Sequence, residues 1–370
     1  MTINFQRSEL TGVLGVLSPY MAGFATLGIR TKEEMLEVFA YTDNGSALAH
    51  VSCKGAEDRE WMYVDGPTLQ DLVKLADEGL IEINFTEAGL TLKFPCSTSE
   101  LRSARIGIPS DVVKFGKSTS TIKGKDLALL STMTEAASTD GTRPTLNGIY
   151  IAAEDGSVKA AAADGFILSF TSIGAEELKA KGSLYSVLAL NRAKRAIKPA
   201  ENDDVAIGFH TGGIALSVQR GNADFFFEIP RIGDNFPDYM PIVNGVKKAV
   251  TVRVETRTFE SFLKRATAIE GSIYMQVING FLWMMAVNDE NKSMDSVAVE
   301  SKAESVVMHY AVSLLKDVVK ACAANGHITL NFPDKNNTPM LIESTAAVVA
   351  MPLVNDLKES PFKNLQPALI

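Results

Sequence analysis

Two carboxylates stand where they could do chemistry. Asp164 in AADGF and Asp238 in FPDY could act as an acid and base pair if the fold joined them. Asp beside Gly at the end of a strand serves a turn more often than a general base. No GxxxxGK[ST] or GxGxxG phosphate loop, no GxSxG elbow and no Cys-His signature is present. His50, His210, His309 and His327 form neither HExxH nor a His-x3–5-His pair. Cys53, Cys96 and Cys322 are odd in number and far apart, so they suggest neither a disulfide framework nor a zinc site. The residues therefore predict a non-catalytic protein without metal or cofactor.

The remaining chemistry is that of Lys and Arg on phosphate. A net charge of −8 and a pI near 5.2 argue on average against nucleic acid. The distribution argues the other way. Leu190–Ala200 holds Arg192, Lys194, Arg195 and Lys198 with no acidic residue, Lys264 and Arg265 adjoin, and Lys316 and Lys320 are spaced i, i+4. Lys123 and Lys125 form another pair, and Arg7 and Lys74 lie nearer the N-terminus. Exposed helix faces are usually charged, so any one of these is ordinary. If the helices face a common interior, together they would attract a DNA backbone without reading bases.

The elements that must position these residues repeat. An amphipathic helix, a polar turn and two strands recur at Pro67–Phe94, Leu190–Val218 and Ser313–Ser344. The strands IEINF, VAIGF and ITLNF begin at Ile81, Val205 and Ile328. That spacing is too long for a solenoid and predicts three tandem domains of one fold. Leu69, Leu72, Val73 and Ala76 keep helical spacing, as do Leu315, Val318, Val319 and Cys322. Gly79 and Gly326 are placed to end these helices in a left-handed residue. A second helix opens each third, at Leu10–Leu17, Lys125–Met133 and Phe259–Ala266. The fold class is α+β, two helices per domain packed on mostly antiparallel sheets. The boundaries are 1–118, 119–246 and 247–354, with a tail at 355–370. No apolar run spans a bilayer, and the N-terminus lacks a signal-peptide pattern, so a cytoplasmic protein with no membrane partner is expected.

TRPTLNGIYIAAEDGSVKAAAADGFILSF (Thr142–Phe170), FPDYMPIV (Phe236–Val243) and AAVVAMPL (Ala346–Leu353) resemble three landmark segments of the bacterial DNA polymerase III beta sliding clamp, in that order and at similar separations. The resemblance covers most of residues 1–354 and is weakest in the first domain. It implies a ring-shaped head-to-tail homodimer, with twelve helices around double-stranded DNA held independently of sequence. It also implies a cleft between the second and third domains, where DNA polymerase, clamp loader and repair proteins insert QxxL-like peptides. Matched by motif, the cleft takes Leu146, Ala163, Gly165, Phe166, Ile167 and Leu168, then Pro237, Pro241 and Ile242. Val349, Ala350, Met351, Pro352 and Leu353 complete it, and Leu314 is a looser match. Arg143, in the first landmark, joins the DNA-facing set.

The chain departs from the family pattern in four places. Phe166-Ile167 stands for a His-Arg pair, Met240-Pro241 for an Arg, and Phe24-Ala25-Thr26 for an Arg-Pro-Thr loop. The fourth is the tail, whose end, Gln366-Pro367-Ala368-Leu369-Ile370, is itself QxxL-like and could enter the cleft. Two alternatives are a clamp-shaped protein-binding scaffold without a replication role and an enzyme with a pocket joining Asp164 to Asp238.

Overall fold

The computed structural model describes residues 2–21, 26–103, 119–176, 178–233, 235–269, 271–354, 359–363 and 365. Phe24 and Ala25 of the first-domain loop and the Gln366–Ile370 segment lie outside them.

One order of elements occurs three times: strand, helix, four strands, helix, three strands. The first copy runs β1 (Thr2–Gln6), α1 (Arg7–Leu17), β2 (Thr26–Lys32), β3 (Met35–Thr42), β4 (Gly45–Ser52), β5 (Met62–Asp65), α2 (Gly66–Leu75), β6 (Leu80–Phe85), β7 (Gly89–Lys93) and β8 (Thr98–Arg102). The second runs β9 (Thr119–Lys123), α3 (Gly124–Met133), β10 (Ile149–Glu154), β11 (Ser157–Ala163), β12 (Ile167–Gly174), β13 (Ala180–Tyr185), α4 (Val187–Ile197), β14 (Asp204–His210), β15 (Gly213–Arg220) and β16 (Ala223–Gly233). A short α5 (Met240–Gly245) leads to the third. That copy has β17 (Val250–Glu255), α6 (Thr256–Ile269), β18 (Ser272–Ile278), β19 (Phe281–Val287), β20 (Lys292–Ala298), β21 (Met308–Ala311), α7 (Val312–Ala321), β22 (His327–Phe332), β23 (Met340–Glu343) and β24 (Ala347–Ala350). The chain is α+β, three tandem copies of one unit.

Local chemistry sets the helix ends. Asp65 accepts the Thr68 N–H at 2.8 Å to open α2, and Ser186 accepts the Ala189 N–H at 3.2 Å to open α4. The glycine expectation needs correcting. Past α7 it is Ala323 that first turns left-handed (φ 48°), and Gly326 (φ 70°) stands just before β22. Gly79 lies beyond the cap of α2 at Ala76, where the chain turns into β6.

Each copy supplies two four-stranded antiparallel sheets. Those of the second-helix halves are β1-β6-β7-β8, β9-β14-β15-β16 and β17-β22-β23-β24. Those of the first-helix halves are β5-β2-β3-β4, β13-β10-β11-β12 and β21-β18-β19-β20. Neighbouring copies join edge to edge. In the first seam β4 pairs with β16 from Ser46↔Glu228 to Val51↔Ala223, and in the second β12 pairs with β24 from Ile167↔Ala350 to Phe170↔Ala347. Under the sheets the helices pack in one file, α2-α1-α4-α3-α7-α6. Leu10, Val13, Leu14 and Leu17 of α1 and Phe259, Phe262, Leu263 and Ala266 of α6 turn into the apolar core between the layers.

Candidate functional site

The outer faces of the two seams, away from the helices, differ in chemistry. At the first, Arg30, Glu37, His50 and Asp224 stand in register across β2, β3, β4 and β16. Arg30 bonds Glu37 at 2.6 Å and stacks on Trp61 at 4.3 Å. At the second, Ala161, Leu168, Leu341 and Val349 form an apolar bed against which Tyr150, Phe170, Phe236 and Tyr239 pack. The Phe236 ring stacks on Tyr150 at 5.3 Å. Burial pushes the phenols of Tyr150 and Tyr239 up, so both remain neutral.

A cavity of about 270 Å³ opens over this bed, lined by Leu146, Ala163, Gly165, Phe166, Ile167, Leu168, Phe236, Pro237, Asp238, Tyr239, Ile242, Val349 and Met351. A second hollow of about 380 Å³ shares Ile242 and Met351 with it and adds Pro241, Lys247, Asp334 and Pro339. Phe166 (58% exposed), Ile242 (50%) and Met351 (41%) form an apolar rim that no described side chain covers. Such a surface suits leucine or aromatic side chains of an extended peptide.

Ten of the motif-matched residues line the first cavity and Pro241 the second. Ala350 is fully buried beneath the seam, Leu314 of α7 packs on the main core, and Pro352 and Leu353 run past the cavity. Phe236, Asp238 and Tyr239 were missed by motif matching, although two aromatics flanking Pro237-Asp238 signalled a segment that packs on something apolar. Arg143, expected to face DNA, is engaged next to the cavity lining. It donates to the Asp164 carbonyl at 3.0 Å and lies beside Gly165, whose φ of 100° suits glycine.

The two carboxylates are each engaged by backbone N–H groups. Asp164 accepts the Phe166 and Ile167 N–H groups at 2.7 and 2.8 Å, and Asp238 accepts the Met240 N–H at 3.1 Å. Both serve turns.

The helix file carries the opposite character. Its six helices hold eleven Lys and Arg against five Asp and Glu, a net +6 in a chain of −8. Lys74, Lys125, Arg195, Lys264 and Lys316 are exposed, Lys194 is half-buried, Lys198 is exposed just past α4, and none of these seven has an ion pair with a described residue. Arg257 on α6 belongs with them and was overlooked for standing alone in the sequence. Others are engaged: Arg7 with Glu78, Lys123 with Asp204 at 2.6 Å, Arg265 with Asp295 at 2.8 Å, and Lys320 with Glu135 at 3.7 Å. Arg192 turns into the packing, bonding Thr42 and lying 5.6 Å over the Tyr20 ring.

No protein-family model and no curated protein matches the chain. Solved structures do. DNA polymerase III subunit beta from Pseudomonas aeruginosa superposes with a TM-score of 0.82 at 20% identity, over 95% of this chain and all of that one. The fold is that of a bacterial sliding clamp. A Pseudomonas aeruginosa sliding clamp bound to griselimycin gives 0.81 at 19% identity, covering 96% of this chain and 100% of that one. The beta subunit from Thermotoga maritima gives 0.75 at 18%, covering 96% and 99%. Likeness over nearly the whole of each chain accounts for the threefold element order: it is the internal repetition of the sliding-clamp fold.

Proposed function

We propose that the protein is a non-catalytic DNA polymerase processivity factor, a sliding clamp whose head-to-tail homodimer encircles duplex DNA. The observation that carries this is the pair of open ends. Both seams join the same parts: the last strand and helix of one first-helix half (β4 with α1, β12 with α3) meet those of a second-helix half (β16 with α4, β24 with α7). Among the described residues one matching pair is left over, β20 with α6 and β8 with α2, at opposite ends of the file. A second copy can satisfy both by the same contact, and a heterologous contact that closes makes a ring. Twelve helices would then line the hole with their excess positive charge. Linkage by topology, rather than tight binding, would hold the DNA.

In this reading the domains are 1–118, 119–246 and 247–354, and the protein works in the cytoplasm. The cleft at the second seam takes QxxL-like peptides of DNA polymerase, clamp loader and repair proteins. With Phe166, Ile242 and Met351 at its rim, it favours peptides whose flanks are apolar over acidic ones.

Loading onto nicked circular DNA tests the function. Retention that vanishes when the circle is linearised supports a clamp. Binding of QxxL-type peptides without any retention by circles would instead establish a protein-binding scaffold. Ile242→Asp and Met351→Asp, at exposed positions, should weaken a QxxL-type peptide at least tenfold in a titration while leaving retention intact.

A further inference from the structure

The chain does not leave the third copy after β24. The Leu353 N–H bonds the His309 carbonyl on edge strand β21 at 2.8 Å, and His309 Nδ1 bonds the Val354 carbonyl at 2.9 Å. Farther on, Phe362 is fully buried among Ile278, Trp283 and Met285 on the outer face of β18 and β19, its ring 6.3 Å from that of Trp283. The Ser360 hydroxyl donates to Gln276 Oε1, and the Gln276 amide donates to the Ser305 carbonyl at 2.9 Å. A buried glutamine thus has partners on both ends of its side chain, one of them from the tail. Phe362 and Ser360 occupy a fitted place.

That place has a counterpart in the second copy. There the chain after β16 lays Phe236 and Tyr239 on the outer face of β10 to β12, the sheet whose edge strand β12 forms the second seam. The tail does the same to the sheet whose edge strand β20 is open. Trp283 and Met285, under Phe362, are the cross-strand neighbours of Ser296 and Met294 on β20. Met294 is an exposed apolar residue at that edge.

We propose that residues 359–363, with Leu365, are a clasp for ring closure. By filling the socket over β19, Phe362 fixes the twist of the sheet and carries an apolar outer surface up to the edge that receives the next protomer. The proposal rests on the ring reading given above. It makes the tail part of the dimer contact, which residues 1–354 alone would make more weakly.

The test compares the full chain with Phe362→Ala and the space-filling Phe362→Leu, all carrying Trp61→Phe so that Trp283 is the sole tryptophan. Trp283 emission reads tail docking, and sedimentation over a dilution series reads dimer affinity. Phe362→Ala should red-shift the emission and raise the dimer dissociation constant at least tenfold, and Phe362→Leu should largely restore both. A red shift with an unchanged dimer constant would overturn the clasp, as would an emission that Phe362→Ala leaves unmoved. If the parent is monomeric at every concentration, the ring reading itself falls, and the clasp with it, whatever Trp283 reports about docking.

Discussion

Gly182 on β13 supports the cleft without touching it. A Cβ there would lie 1.9 Å from the Tyr150 hydroxyl, and the Tyr150 ring carries Phe236. Gly182→Ala should therefore cost about 1–3 kcal/mol of stability by overpacking, read from the urea midpoint, and should loosen cleft peptides as the ring shifts. An unaltered midpoint and affinity would show that Tyr150 can move freely. His50 makes a second residue-scale prediction. Burial holds its pKa below the ordinary 6.5 despite the carboxylates of Glu37 and Asp224, which pull it up, while Arg30 adds to the lowering. A folded pKa below the unfolded one means that protonation favours the unfolded chain. Stability is then full above about pH 6.5 and falls as pH drops through the folded value. The loss of urea stability from pH 7.5 to 5 should be smaller in His50→Gln than in the parent.

Elements explain which functional residues could be read from sequence. Helical periodicity placed Lys194, Arg195, Lys264 and Lys316 on solvent faces, because a stripe that buries Leu190 or Leu315 leaves its opposite side to water. Side-chain engagement lay beyond that pattern. Arg192 shares a helix with Lys194, yet it is held by Thr42 of another copy, 150 residues away. The prediction at this scale is a division of roles. Lys194→Glu with Arg195→Glu should reduce retention on circular DNA at least tenfold and make its salt dependence shallower by about two counterions. Affinity for a cleft peptide should not change, since α4 and the cavity lie on opposite layers. Equal loss of both would mean that α4 had unfolded.

At the scale of the whole molecule, the proposed ring makes the edge strands decisive. The protomer is 39.9 kDa, and a closed ring should sediment at twice that mass. Met294→Lys places a charge on the unpaired edge of β20, a device that blocks strand addition. It should yield a folded monomer with an unchanged thermal transition of the protomer, and that monomer should no longer be retained on circles. A variant that remains dimeric would place the contact elsewhere.

The sequence by itself determined the repeat, the helix and strand periods and the apolar landmark segments, because these depend on spacing along one chain. The strand IEINF became β6, VAIGF lies within β14 and ITLNF within β22 for that reason. Only the tertiary structure decided what meets between segments that no local period relates. It set Val349 beside Leu168 to make the cavity floor, held Arg143 on the Asp164 carbonyl next to Gly165, and buried Phe362 against Trp283. These pairings follow from which sheet edges join and which outer faces the connecting segments cover, and no local period encodes either.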